Sequence, residues 1–229
     1  MTIKYHYEML QRSEEWYAAR CGLLTASEMK HIITPGKLQA AANDKSKSHL
    51  FELLAQRITG YTEPAYVSFD MERGELEENY AKHEYNKHYA ETKDCGFVTN
   101  DEWGFTLGFS PDALVGDDGF IECKSRLAKY QLQTILANEM PDDFKIQVQT
   151  GLLVTARAWC DFISYSGGVH MITLRVFTDI VVQTAIIEAA KTFHEKLDAA
   201  MEKYKERLAD KDFRLLPTER TIMEQEIVV

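Results

Sequence analysis

The spacing of hydrophobic and polar positions changes along the chain, and the changes mark out its elements. Residues 13–33 are rich in helix formers but interrupted around Gly22, with Ser27 placed to cap the second part. Residues 36–48 (GKLQAAANDKSKS) are polar and predict a loop. A helix from about 49 to 59 stops at Gly60, and another runs from about Glu75 to Ala90. Between 96 and 124 the period shortens to two, and GFVTN, WGFTLGFSPDALVG and GFIECK read as short strands. Asp118-Gly119 predicts a hairpin turn between the last two runs, because both residue types tolerate the positive φ of a tight turn. Pro141 followed by Asp142 and Asp143 opens a helix to about 155. Two strands, WCDFISYS and VHMITLRVF, flank Ser166-Gly167-Gly168, and a long amphipathic helix runs from about Asp179 to Leu208. The order predicts an α/β fold, a central mixed β-sheet flanked by helices.

Bulk properties narrow the choices. A chain of 229 residues with no repeat and no Pro/Gly/Ser-rich linker is expected to form a single domain over 1–229. No run of eighteen apolar residues predicts a membrane helix, and the first sixteen residues lack the apolar segment of a secretory signal. Cytoplasmic residence is therefore the expectation. Cys21, Cys95, Cys123 and Cys160 are scattered without a CxxC pair, which predicts reduced thiols rather than a zinc site, an iron–sulfur cluster or a disulfide framework. The net charge of −10 opposes a broad basic surface for nucleic acid. Metal-ligating carboxylates would account for part of that acidity.

The stretch with chemical content is 110–124, SPDALVGDDGFIECK. Strand side chains alternate faces, so Glu122 and Lys124 point one way while Ile121 and Cys123 point into the opposite layer. A hairpin folds Asp112 back beside them. Two carboxylates and an ammonium converging on one face suit a hard divalent cation such as Mg²⁺, which prefers carboxylate oxygens and keeps several waters. The cation would activate a water and stabilise charge on a phosphoryl transition state. Lys124, its pKa lowered by cation neighbours and partial burial, would orient that water or take its proton. The plain reading of the same residues is a surface hairpin with a Glu–Lys pair. His83 and His88 stand five residues apart, roughly 140° around a helix, so they do not form a zinc-gripping pair.

Asp112 with Glu122-Cys123-Lys124 resembles the PD-(D/E)xK nuclease core. Three further segments resemble the lambda-exonuclease and YqaJ-type viral recombinase family: Trp16 to Ser27 (WYAARCGLLTAS), Arg73 to Asn79 (RGELEEN) and Gln147-Val148-Gln149. Together they span roughly 11–165, leaving the strand and helix of 169–210 without a motif. The resemblance implies that Asp112, Glu122 and the Cys123 carbonyl ligate metal, Mg²⁺ or Mn²⁺, with two ions per site. It implies that Lys124 assists the nucleophilic water, that Glu78 helps hold it, and that Gln147 supports the site from a facing helix. Gln147 and Gln149 are two apart and cannot share a helix face, so Gln147 is the one expected at the site. Arg20, Ser27 and Ser110 are implied to hold a 5′-phosphate. Arg73 stands where the family pattern has tryptophan.

The function implied is a 5′→3′ exonuclease acting on double-stranded DNA ends, leaving 3′ overhangs for a single-strand annealing protein in phage-type recombination, and working as a homotrimeric ring. The competing readings are another PD-(D/E)xK nuclease, of restriction or RecB-like type, and a non-catalytic DNA-end-binding module. Taken residue by residue, Arg20 also reads as a helix-surface charge and Glu78 as a partner of Lys82 at i,i+4.

Overall fold

A computed structural model describes residues 2–34, 36–64 and 69–221. The chain begins with β1 (Ile3–His6), α1 (Glu14–Arg20) and β2 (Leu24–Thr25), then a 3-10 turn at Met29–His31, and a small hairpin of β3 (Ile33–Thr34) and β4 (Gln39–Ala40). Helices α2 (Asp44–Thr59) and α3 (Phe69–His88) lead into β5 (Thr92–Lys93), β6 (Phe97–Asn100), β7 (Leu107–Phe109), β8 (Ala113–Val115) and β9 (Gly119–Ser125). After α4 (Ala128–Ala137) and a 3-10 turn at Asp142–Phe144 come α5 (Lys145–Thr155), β10 (Trp159–Tyr165), β11 (Ile172–Phe177) and α6 (Ile180–Ala209).

The fold is mixed α/β as expected, with its strands divided between two main sheets. One has the order β1-β6-β7-β2 and the other β11-β10-β9-β8-β5. Strands β9 and β10 pair in parallel while β9 pairs antiparallel with β8, so the second sheet is mixed. The chain crosses from the first sheet to the second at Ser110-Pro111-Asp112, between β7 and β8. Both faces of the five-stranded sheet are covered. Ala113, Ile121, Cys123 and Ile163 pack with Ala81 and Tyr85 of α3. Phe120 and Phe162 face the larger core, which includes Val148 and Leu152 of α5 and Ile186, Phe193 and Leu197 of α6. The Tyr85 hydroxyl donates to Asp161 at 2.6 Å, and Arg175 donates twice to the same carboxylate, which ties α3 to β10 and β11.

Several elements depart from the sequence reading. Helix α1 is capped by Ser13, whose hydroxyl accepts from the Trp16 N–H, but the helix does not resume after Gly22. Leu24 and Thr25 are drawn into a parallel pairing with β7, so tertiary pairing overrides the helix propensity of 23–33. Ser27 caps no helix and is exposed. Helix α2 begins at Asp44, capped by Asn43, so the polar 36–48 segment holds a strand and the first helical residues as well as a loop. Its end at Gly60, with φ 63°, is where the sequence puts it. The β8–β9 turn is Gly116-Asp117-Asp118, since Val115 pairs with Gly119. The positive φ, 50°, belongs to Gly116. Gly119 is required for another reason: a Cβ there would lie 2.2 Å from the Trp159 ring.

Candidate metal and phosphate site

Register builds the acidic centre. The β8–β9 ladder begins at Ala113 opposite Ile121, which brings Asp112 beside Glu122 at the mouth of the strands. Beyond that point β8 has left the sheet, and the Asp112 carboxylate takes its place by accepting the Cys123 N–H. A residue's N–H and C=O face the same neighbour in a strand, so the Cys123 carbonyl faces the same gap. Glu122 is 2 % exposed. Its Oε1 accepts from Lys124 Nζ at 2.5 Å and from Gln147 Nε2 at 2.6 Å. Its Oε2 is buried and without a partner among the described residues. Gln149, two residues along α5, turns away to the Phe177 carbonyl and the Asp179 N–H.

The electrostatics of the cleft suit a cation. Burial and the neighbouring Glu78 push Asp112 up to about 7, and burial with Asp112 nearby pushes Glu122 up to about 7. Burial raises Glu78 as well, with the negative charge of Glu122 adding to the push. Burial alone would lower Lys124, but Glu122, Asp112 and Glu78 together hold it above its ordinary value. The lowered lysine expected from the sequence is therefore not what this site produces: three carboxylates keep it an ammonium. Among the described residues no three His, Cys, Asp or Glu side chains stand in ligand geometry. The donor set still suits a hard cation that takes two carboxylates and keeps water: Asp112, the unpartnered Glu122 Oε2 and the Cys123 carbonyl.

A second set of groups lines the same cleft, whose volume is about 190 Å³. Arg20, from the last turn of α1, lies over the Trp16 ring with its guanidinium carbon 4.3 Å from the centroid. It donates to Ser110 Oγ at 3.4 Å and Thr25 Oγ1 at 3.1 Å. The Trp16 indole N–H donates to the same serine at 2.9 Å. Ser27 Oγ lies 3.3 Å from Thr25 Oγ1. No salt bridge holds Arg20 among the described residues, and burial lowers its pKa. A half-buried guanidinium held by hydroxyls and a ring, with no salt bridge among the described residues, is prepared for an anion.

Eight of the nine residues picked from the sequence line one cleft, Arg20, Ser27, Glu78, Ser110, Asp112, Glu122, Lys124 and Gln147, and Cys123 joins them through its backbone N–H to Asp112. Lys82 pairs with Asp94 rather than with Glu78. The sequence reading missed Thr25, which shares Arg20, and the Gln11-Arg12 pair at the cleft rim. Gln11 Nε2 donates to the Pro111 carbonyl, and Arg12 pairs with Glu75. Arg12 sits at φ 68°, and no spacing in the sequence signals that.

The YqaJ-like viral recombinase domain model matches residues 15–158. The chain belongs to this family. An alkaline exonuclease from Laribacter hongkongensis superposes with a TM-score of 0.76 at 29% identity, covering 86% of this chain and 98% of that one. The structure of the same enzyme in complex with dAMP matches at 30% identity and the same TM-score. A phage-related exonuclease from Haemophilus somnus, 14% identical with a TM-score of 0.53, shares the fold over 78% of this chain and 96% of that one. No curated protein sequence matches. As a member of the YqaJ-like family with this close structural likeness, the chain is a DNA exonuclease of the alkaline-exonuclease type. Among its described residues no helix is long and apolar enough to cross a membrane.

Proposed function

We propose that this exonuclease is Mg²⁺-dependent, with Mn²⁺ able to replace Mg²⁺, and that it degrades one strand of duplex DNA from the 5′ end. The remaining 3′ strand is left for a single-strand annealing protein in recombination. The observation that carries the reading is the shared cleft: an anion-ready Arg20 is bridged by Ser110 to the strand crossover that holds Asp112, beside the unpartnered Glu122 oxygen.

The roles follow from the contacts. Arg20 takes the terminal phosphate dianion in paired charge-assisted hydrogen bonds, with Ser110 and Ser27 as hydroxyl donors. That seats the next phosphodiester at the carboxylates, and a nucleoside 5′-monophosphate leaves. Gln147 holds Glu122 by Oε1, leaving Oε2 available to a cation. Asp112, Glu122 and the Cys123 carbonyl would hold a divalent cation, which would supply a water of lowered pKa and neutralise charge on the leaving oxygen. Lys124, an ammonium in this arrangement, orients the attacking water and the scissile oxygens, while Glu78 accepts a hydrogen bond from that water and keeps it in line. The dAMP bound by the Laribacter enzyme is of the product class expected here.

The test compares 5′-phosphorylated with 5′-hydroxyl linear duplex, and both with closed circular DNA, in Mg²⁺. Faster loss of the phosphorylated duplex and an intact circle are expected. Cleavage of the circle would move the chain to the endonuclease reading, and equal rates on both linear ends would remove Arg20 from the phosphate site.

A further inference from the structure

We propose that Arg126, Lys129 and the open N-terminus of α4 form a second phosphate cradle, which holds the phosphodiester next to the scissile one on the retained side of the strand. The proposal rests on the 5′-end reading above. Glu122, Lys124 and Arg126 alternate on one face of β9 and its extension, so Arg126 lies about 6.6 Å beyond Lys124, a step comparable with that between neighbouring phosphates. The Arg126 N–H donates to the Tyr165 carbonyl at 2.7 Å, which carries the pairing with β10 past the end of the strand. The backbone at this position is therefore fixed.

The guanidinium is held but not satisfied. It lies 5.4 Å from the Tyr130 ring centroid and 5.3 Å from that of Phe144. Lys124 Nζ lies 5.6 Å from the same Phe144 ring, so one aromatic side chain positions both cations. Arg126 Nε is buried with no hydrogen-bond partner, and no carboxylate pairs with Arg126 among the described residues. Two rings flank the group, and no carboxylate among the described residues neutralises it.

Helix α4 supplies an independent observation. Its N-cap is Leu127, with no side-chain cap, and its first turn has no acidic residue. Lys129 occupies that turn and lies 4.7 Å from the Tyr130 ring. A Leu cap leaves the first N–H groups without a side-chain acceptor, and a lysine there opposes the helix dipole. Both features are unfavourable in isolation and favourable with an anion at the helix end. The terminal phosphate belongs to Arg20 and the scissile one to the carboxylates, so a cation beyond Lys124 meets a phosphate further into the strand.

The test uses 5′-phosphorylated linear duplexes with a single neutral methylphosphonate, placed either at the second linkage from the 5′ end or at the sixth. Single-turnover release of the first nucleotide is measured for the wild type, Arg126→Ala and Arg126→Lys. The second-linkage substitution should slow the wild type about tenfold, the loss of one charge-assisted hydrogen bond, and the sixth should not. Arg126→Ala should slow the all-phosphate duplex about as much and respond no further to the neutral linkage. Arg126→Lys should recover part of the rate at subsaturating enzyme, and steady-state assays should place the effect mainly in KM. Equal wild-type rates with the neutral group at linkage two and linkage six would overturn the cradle, even if Arg126→Ala failed to fold. So would additive effects of variant and modification. Failure of the underlying reading looks different: the wild type would then not release the 5′ nucleotide of the unmodified duplex at all.

Discussion

Glu122 combines three conditions that rarely coexist in a structural residue: near-complete burial, a carboxylate neighbour and one oxygen left without a partner. A buried, unpaired carboxylate oxygen is unfavourable by about 1–3 kcal/mol, so the arrangement is best explained by a cation that arrives later. Asp112→Asn or Glu122→Gln should abolish cleavage, while thermal stability without metal stays at or above the wild-type level because carboxylate repulsion is relieved. Lys124→Ala should lose nearly all turnover. Activity assays beside melting curves check all three; wild-type turnover in any of them would contradict the site. Arg20→Ala should erase most of the preference for a 5′-phosphate, an effect of about 1.5–3 kcal/mol for a charged hydrogen bond. At this scale the sequence was informative, because Asp112, Glu122 and Lys124 lie on one short hairpin whose alternation fixes their faces. Arg12 and Thr25 were not legible, since their roles depend on a loop conformation and a long-range strand pairing.

The β8–β9 hairpin carries the site, and its packing is correspondingly tight. Gly119→Ala would drive a methyl group into the Trp159 ring, which should destabilise the protein by about 1–3 kcal/mol and displace β9 with its Glu122 and Lys124. Denaturant titration reads the first effect and turnover the second; a fully stable, fully active variant would show that the ring moves freely. Elements with a local signature were legible from sequence: the Pro141 start leading to α5, the Gly60 stop of α2, and α6 with its Asp179 cap. Elements defined by partners were not. Strands β1 and β2 are short and exist through pairing with β6 and β7. Helix α4 escaped because it lacks the capping residue that marks a helix start. The division into two sheets at Ser110–Asp112 also left no compositional trace.

For the whole molecule, the net charge of −10 opposes a broadly basic grip on DNA, and the cations at the cleft include Arg20 and Lys124. We propose that digestion is sustained by topological retention in a closed homotrimer, which would hold DNA without many phosphate contacts. Light scattering should give about three times the chain mass of 26.3 kDa, and digestion under way should survive a chase of competitor DNA. A monomer arrested at once by the chase would refute the ring. Stability should also depend on acid. Burial, then the nearby Arg57, lowers His194 from 6.5 to about 4. The unfolded chain therefore binds the proton first, and stability falls as pH drops from about 6.5 to 4, by on the order of 3 kcal/mol. His194→Leu should flatten that slope in pH-dependent melting. The most direct measurement of the central claim uses a linear 5′-phosphorylated duplex labelled at the 5′ end of one strand and the 3′ end of the other, incubated with and without Mg²⁺. The account predicts early, Mg²⁺-dependent release of the 5′ label as a mononucleotide from the wild type and none from Glu122→Gln. Early loss of the 3′ label, or release of the 5′ label by the Glu122→Gln protein, would contradict it.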